Sequence, residues 1–346
     1  MMTQRNGSQT SGANTENLPK VAIVILNWNG WKNTVECLES LYQNTYPKYE
    51  IILVDNGSKD GSIQKIEEYA EGKLGVESKF FSYDLTTKPL KIVKPPVKVL
   101  SDFYKKLVLV ENPINYGFAK GVNLGLQLAQ KQSADYVLLL NNDIVVDKSF
   151  LSEMVTQAEK MPQFGIGGPT IYYYDRPTTI DFAGENLTLW RVKGKENRRK
   201  LANPVQVDKI EGSCMLIKVA VLNTVGLLYP KYWAYWEETD LCFRAKKAGF
   251  KIVYIPEAKI WHKVASSIGG EGNLKRQYYL NRNRILFAKR NLSPSDQAKF
   301  LLYFFGYELW LKVAVELKHR TLAGAFNYLR AGFDGLMLFL DPRNHA

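Results

Sequence analysis

The chain has 346 residues, 46% hydrophobic and 23% charged, close to the globular average and enough to bury a sizeable core. Disorder throughout, a collagen-like repeat and a disulfide-stapled miniprotein are excluded. The 46 basic and 34 acidic residues leave a formal charge of +12. That charge suits an anionic partner: nucleotide phosphates, nucleic acid or an acidic membrane face.

Residues 1–20 are rich in Asn, Ser, Thr, Gln and Gly and lack an apolar run, so they read as a disordered leader and not a signal peptide. Four short β-rich apolar runs follow: Val21–Leu26, Ile51–Val54, Leu107–Val110 and Tyr136–Leu140. Helical stretches stand between them at Thr34–Tyr42, Ser62–Ala70 and Lys120–Lys131. This alternation predicts an α/β fold with a parallel sheet covered on both faces. Ligands of such sheets bind beyond the carboxyl ends of the strands. Polar clusters fall at that edge: Asn27-Trp28-Asn29-Gly30, Asp55-Asn56-Gly57-Ser58, Asn115-Tyr116-Gly117 and Asn141-Asn142-Asp143.

The long connection 73–106 carries Pro89, Pro95, Pro96 and many lysines and reads as an insertion, a hairpin or a mobile flap. From 165 to 260 the pattern turns to short strands and Gly/Pro turns, with Arg191–Lys200 read as a solvated loop. Cys37, Cys214 and Cys242 are odd in number and share no CxxC spacing. Neither a disulfide framework nor a thiolate zinc site follows, and a reducing, cytoplasmic setting is expected. Residues 263–346 hold 13 Lys+Arg and 6 Asp+Glu among aromatics at helical spacing. Two readings stand here: an interfacial helix lying on an acidic bilayer, or helices packed on the catalytic domain or another subunit of a homo-oligomer. No run of about 18 uninterrupted apolar residues occurs.

Three groups carry chemistry. Asp143, ending the fourth strand, offers a hard oxygen ligand for a divalent cation, although Asn/Asp clusters also cap loops. Glu237, Glu238 and Asp240 place three carboxylates within four positions, either as an acidic first helix turn or as a catalytic group. The aromatics ahead of them, Tyr229, Tyr232, Trp233, Tyr235 and Trp236, suit stacking on sugar faces and equally suit packing. His262 follows a strand in the same region and is a ligand candidate. Charge alone suggests nucleic acid, but no helix-turn-helix, RRM or zinc signature accompanies it, so no nucleic-acid partner is expected.

The sequence resembles family 2 glycosyltransferases, an inverting group with the GT-A fold, and within it the rhamnosyltransferase-like branch. The resemblance runs from about 21 to 291. It is carried by Val24–Gly30, Ile52–Ser62, Asn115–Ala119 with Gly121-Val122-Asn123, Leu138–Asp143, Glu211–Ile217 and Trp236–Arg244.

This resemblance implies a GT-A domain over 21–262, with a nucleotide-binding half at 21–145, an acceptor half at 165–262 and a basic C-terminal helical region from 263. It implies transfer of a sugar from a dTDP- or UDP-linked donor to a glycan or lipid-linked acceptor. Asn27, Asn29, Asp55, Asn56, Asn115, Gly117, Asn123, Asn141 and Asn142 would line the nucleotide-sugar site. Asp143 and His262 would hold Mn2+ or Mg2+, with Asn141 standing where the family's Asp-x-Asp has its first acid. Glu238 matches the general base, with Glu237 and Asp240 able to share that duty, and Gly212, Ser213 and Trp236 fall on the acceptor side. Peripheral attachment to the inner face of the plasma membrane is expected for a lipid-linked acceptor. The alternatives are a catalytically degenerate relative that binds nucleotide sugar, and a sugar nucleotidyltransferase.

Overall fold

The computed structural model describes residues 17–96, 106–263, 273–319 and 321–344. Most of the expected leader, and 97–105 of the expected insertion, lie outside the described residues. The leader's last residues are anchored: Leu18 packs on the core, and buried Lys20 donates to the Gln132 carbonyl at 2.6 Å.

The first half alternates β1 (Val21–Asn27), α1 (Trp31–Tyr42), β2 (Tyr49–Asp55), α2 (Ser62–Ala70), β3 (Lys91–Val93), β4 (Lys106–Glu111), α3 (Phe118–Lys131) and β5 (Tyr136–Asn141). Successive strand side chains point to opposite faces. Val21, Ile23 and Ile25 therefore pack with α1 and α2, whereas Ala22 and Val24 pack with α3. Each large side chain buried this way contributes about 1.5–3 kcal/mol. β1, β2, β4 and β5 run parallel, as the alternation predicts. The described part of the 73–106 segment is not a hairpin, because β3 joins β4 in parallel as an edge strand. Lys88 pins this segment to α1 through an ion pair with Glu39 at 2.8 Å, with both side chains buried.

The second half comprises β6 (Ile144–Val146), α4 (Phe150–Lys160), β7 (Phe164–Tyr173), β8 (Ile180–Phe182), β9 (Glu185–Thr188), β10 (Lys193–Glu196), β11 (Val205–Gln206), β12 (Cys214–Lys218), α5 (Val219–Val225), α6 (Glu237–Lys247) and β13 (Lys251–His262). Among the described residues the main sheet runs β11-β13-β7-β12-β5-β1-β2-β4-β3. β12 lies antiparallel between β5 and β7, which ends the parallel run and makes the sheet mixed. The 191–200 stretch is not simply a solvated loop: β10 pairs with β9, and Val192 is buried against the C-terminal helices.

The C-terminal region folds as α7 (Leu274–Asn291), α8 (Pro294–Tyr303), α9 (Leu309–Lys318) and α10 (Leu322–Leu340), with a π-helical turn at Phe304–Glu308. Ile285, Leu286, Phe287, Phe300 and Phe304 form its core, which Tyr232, from ahead of α6, enters. Cations of α7 are partly turned inward: Arg284 pairs with Glu308 at 2.9 Å and Arg290 with Asp240 at 3.1 Å. No helix of the described residues is long and apolar enough to cross a membrane.

Candidate active site

The strand ends of β1 and β2 are joined by their own polar side chains. Parallel register sets Asn27 opposite Asp55. Asp55 Oδ1 accepts from Asn27 Nδ2 at 2.7 Å and from Ser58 Oγ at 2.6 Å, and Oδ2 accepts from the Ser58 backbone N–H at 2.9 Å. An ionised carboxylate has about four lone-pair sites, so Asp55 keeps acceptor capacity on Oδ2. Thr34 Oγ1 donates to Asn27 Oδ1 at 2.8 Å, and Asn142 Nδ2 reaches Asn27 Oδ1 at 3.2 Å and Thr34 Oγ1 at 2.9 Å. Asn142 thus faces inward and braces the first loop from β5. Asn29, at φ 50°, accepts from the Lys59 N–H at 2.7 Å and closes this loop on the second. Asn56 donates to Asn115 Oδ1 at 2.9 Å and accepts from Asn112 Nδ2 at 3.1 Å, tying the third strand end to the other two.

Asp143 and His262 meet because β6 pairs with β13, with Ile144 opposite His262. Asp143 Oδ1 lies 3.4 Å from His262 Nε2, and Glu211 Oε1 lies 3.9 Å from Nδ1. Burial favours the neutral imidazole, but the hydrogen bond and charge of Asp143, with Glu211 and Asp181 behind, raise its pKa to about 9. Nδ1 is buried without a hydrogen-bond partner. The Asp143 carboxylate is a hard oxygen donor of the kind Mg2+ and Mn2+ take, and the His262 imidazole beside it is a nitrogen donor better suited to a transition-metal ion such as Mn2+ than to Mg2+. Among the described residues no three His, Cys, Asp or Glu side chains group closely enough to hold a metal by themselves. A cation held by this pair would need further ligands that the described His, Cys, Asp and Glu side chains do not supply.

The carboxylates of α6 sit behind a strained turn. Trp233, Tyr235 and Trp236 have φ of 66°, 68° and 76°, a left-handed region that costs bulky residues about 1–3 kcal/mol each. Asn283 of α7, fully buried, directs its Nδ2 at the carbonyls of Tyr232, Ala234 and Tyr235, each at 2.8 Å. The Trp233 carbonyl accepts from the Phe118 N–H at 2.7 Å, at the start of α3. Its indole covers Gly117, where φ is 80° and an added Cβ would lie 2.6 Å from the ring. The strained turn therefore couples the third strand end to α6.

Glu238 Oε1 accepts from Thr239 Oγ1 at 3.0 Å and lies 3.3 Å from Lys209 Nζ, which also pairs with Glu185 at 2.9 Å. Burial opposes the Lys209 charge, but Glu238 and Glu185 hold it protonated. Gly212 gives Glu238 room: a Cβ there would stand 3.2 Å from the Glu238 Cβ. Glu237 is pushed well above the usual carboxylate range by burial and then by the charge of Glu238, and its Oε2 is buried without a partner. Burial likewise raises Glu211, whose charge interacts with His262, Lys209 and Glu238. Glu211 lies beside His262 and directly precedes Gly212, against which Glu238 packs, so this stretch runs from the Asp143–His262 pair to Glu238.

Three expected site residues are committed elsewhere. Asp240 accepts from Arg244 at 2.7 Å, Asn291 at 2.8 Å, and Tyr232 and Arg290 at 3.1 Å, so its carboxylate anchors α6 to α7. Asn123 clamps the backbone of Leu228, donating at 2.8 Å and accepting at 3.1 Å. Trp236 donates to the Leu280 carbonyl at 3.1 Å and packs on Phe287, which makes it part of the helical core. Ser213 is buried behind Asn141, whose N–H it accepts through its carbonyl at 2.9 Å. Sequence reasoning did not assign Ser58, Lys209, Glu211 or Asn283. Ser58 and Glu211 lie inside the quoted motifs, whereas nothing local marks Lys209 or Asn283.

The comparisons agree with this architecture. The glycosyl transferase family 2 model matches residues 22–85, and the glycosyltransferase like family 2 model matches residues 101–279. The chain belongs to the family 2 glycosyltransferases. It is 27% identical over 146 residues to the low-salt glycan biosynthesis hexosyltransferase Agl10 of Haloferax volcanii, covering 40% of this chain and 46% of that protein. It is 23% identical to the N-acetylglucosaminyl-diphospho-decaprenol L-rhamnosyltransferase of Mycobacterium tuberculosis, covering 74% of this chain and 78% of that one. Among solved structures, GalNAc-T7 with UDP, GalNAc and Mn2+ superimposes with a TM-score of 0.61 at 16% identity, covering 84% of this chain and 51% of that one. The fold is GT-A. The chain spans less than half the length of the hexosyltransferase it matches.

Proposed function

We propose that this chain transfers a sugar from a dTDP- or UDP-linked donor to a hydroxyl of a glycan or lipid-linked acceptor, with inversion at the anomeric carbon. The observation that supports the reading is that Asp143 pairs with His262, that Glu211 beside His262 precedes the Gly212 on which Glu238 packs, and that Asn142, next to Asp143, donates to Asn27 of the Asn27–Asp55 strand ends. Asp55 would accept from a pyrimidine N3–H through the capacity left on Oδ2, with Asn27 and Ser58 fixing its rotamer. Asn141 would face the ribose. Asp143 and His262 would hold the divalent cation, which supplies charge neutralisation for the departing diphosphate. GalNAc-T7, which shares this fold, was solved with UDP and Mn2+, the kinds of ligand this reading assigns to the site.

Glu238 takes the proton of the acceptor hydroxyl in this scheme. The oxygen bonds to the anomeric carbon from the face opposite the nucleotide, and the bond from that carbon to the diphosphate oxygen breaks. A single displacement inverts the centre. Lys209 keeps the Glu238 carboxylate oriented, and burial together with the charge of Glu238 disfavours the charged form of Glu237 beside it. The test is nucleoside diphosphate release from UDP- and dTDP-sugars, with Mn2+ and with chelator, by the chain and its Glu238→Gln variant. Turnover should fall about 10²-fold or more with donor affinity nearly intact. Unaltered turnover in the variant would remove Glu238 from the reaction.

A further inference from the structure

The end of the chain has an inverted distribution of side-chain size. α10 buries Gly324, Ala325, Ala331, Gly332 and Gly335 and leaves Leu322, Phe326, Leu329, Phe333, Met337 and Leu340 exposed. Phe326 is 68% and Leu322 74% exposed. A helix on a water-soluble surface turns its large apolar residues inward. One that meets hydrocarbon packs on its neighbours through small residues and presents the large ones outward.

The small residues make the inner contacts. Gly335 abuts Ile285 of α7, where an added Cβ would lie 2.5 Å from that side chain, and Gly332 faces Leu309 of α9. α9 continues the same character, with Tyr307 just before it and Trp310, Leu311 and Val315 exposed along it. Two helices packed side by side therefore leave a broad apolar surface uncovered, well beyond the scattered single residues of an ordinary surface. Exposed Lys312 and Lys318 belong to the same helix.

We propose that the uncovered face of α9 and α10 rests on an anionic lipid bilayer, lying in the interface without crossing it. Lying in the interface agrees with the described helices, none of which is long and apolar enough to cross a membrane. Charge selects between a bilayer and a second copy of the chain: a formal charge of +12 repels its own copy and is drawn to anionic lipid. Tyr307 and Trp310 combine an apolar ring with a polar tip, the side-chain type enriched at headgroup depth. Arg284 and Arg290 do not take part, because their guanidinium groups are held inside by Glu308 and Asp240. The attraction comes from net charge and from outward lysines, and the adhesion from apolar side chains.

The test is flotation of the full chain with phosphatidylcholine vesicles and with mixed phosphatidylglycerol–phosphatidylcholine vesicles, without substrate, so that the result is independent of glycosyl transfer. The chain should float with the mixed vesicles, less with neutral ones, and be released in part by high salt. A Phe326→Gln/Phe333→Gln variant should lose about tenfold or more of this binding while keeping its circular dichroism and melting temperature, since both rings point outward. If that variant misfolds, Leu322→Gln/Leu340→Gln replaces it, with the same loss expected. Equal flotation of parent and variant, or no flotation with either vesicle, overturns the proposal. A concentration-dependent dimer that the variant dissociates also overturns it and assigns the face to a second copy.

Discussion

Asn283→Ala tests whether the C-terminal helices hold the turn ahead of α6 that carries Glu237 and Glu238. The Asn283 amide has two protons and faces three carbonyls at 2.8 Å in a fully buried site. The Tyr232 carbonyl keeps a second donor, the Ala234 N–H at 2.8 Å, so truncation orphans chiefly the carbonyls of Ala234 and Tyr235. A buried group left unsatisfied costs about 1–3 kcal/mol, which puts the loss for the two carbonyls at about 2–6 kcal/mol. The three left-handed residues then lose the contact that opposes their relaxation, and Glu237 and Glu238 follow directly after them. Misplacement of a reacting group by about 1 Å can cost 10²-fold in rate. Urea denaturation and donor turnover should fall together, with nucleotide affinity within a few-fold, because the Asn27–Asp55 network stands on other elements. Asn283→Asp, of the same shape but with no donor to offer, should be at least as damaging. A stability change under about 1 kcal/mol with unaltered turnover would refute the reasoning.

Other outcomes are equally specific. Asp143→Ala should abolish the thermal stabilisation that Mn2+ adds in the presence of a nucleoside diphosphate, since only the folded site binds both; a full metal response in calorimetry would exclude Asp143 as ligand. Glu237→Gln should stabilise the fold at neutral pH, because burial and Glu238 penalise its charge and that penalty applies above its ordinary value of 4.5; melting temperatures measured against pH decide it. Burial alone would raise Glu308, but the hydrogen bond and charge of Arg284 hold its pKa below 4.5. Its contribution is therefore complete above that value and is lost as pH falls through the lowered one, and Glu308→Gln should flatten that acid limb of the stability curve.

How much of this was legible in the sequence depends on the range of the interaction. β1, β2, β4 and β5 and the three helices between them are written locally, because continuous runs of Val, Ile and Leu between polar turns have few other ways to be buried. Their polar ends follow from topology, since parallel strands put all carboxyl ends on one edge. Asp143 and His262 were recognisable as residue types, but their meeting across the chain depends on the β6–β13 register. The edge strand β3, with only three residues, exists because β4 offers it a partner.

Polar residues whose partners are distant in sequence were not legible. Asp240 reads like its neighbours Glu237 and Glu238 until the distant Arg290 and Asn291 close on it. Arg284 and Arg290 belong to a basic stretch that reads from sequence as able to face an acidic bilayer, until Glu308 and Asp240 are placed. Asn123 and Trp236 sit within family motifs, yet each spends its hydrogen-bonding groups on backbone. Sequence periodicity records which face of an element leaves water. It does not record which buried polar atom satisfies which other, because a hydrogen bond selects partners by distance in space, and only the packed fold defines that distance.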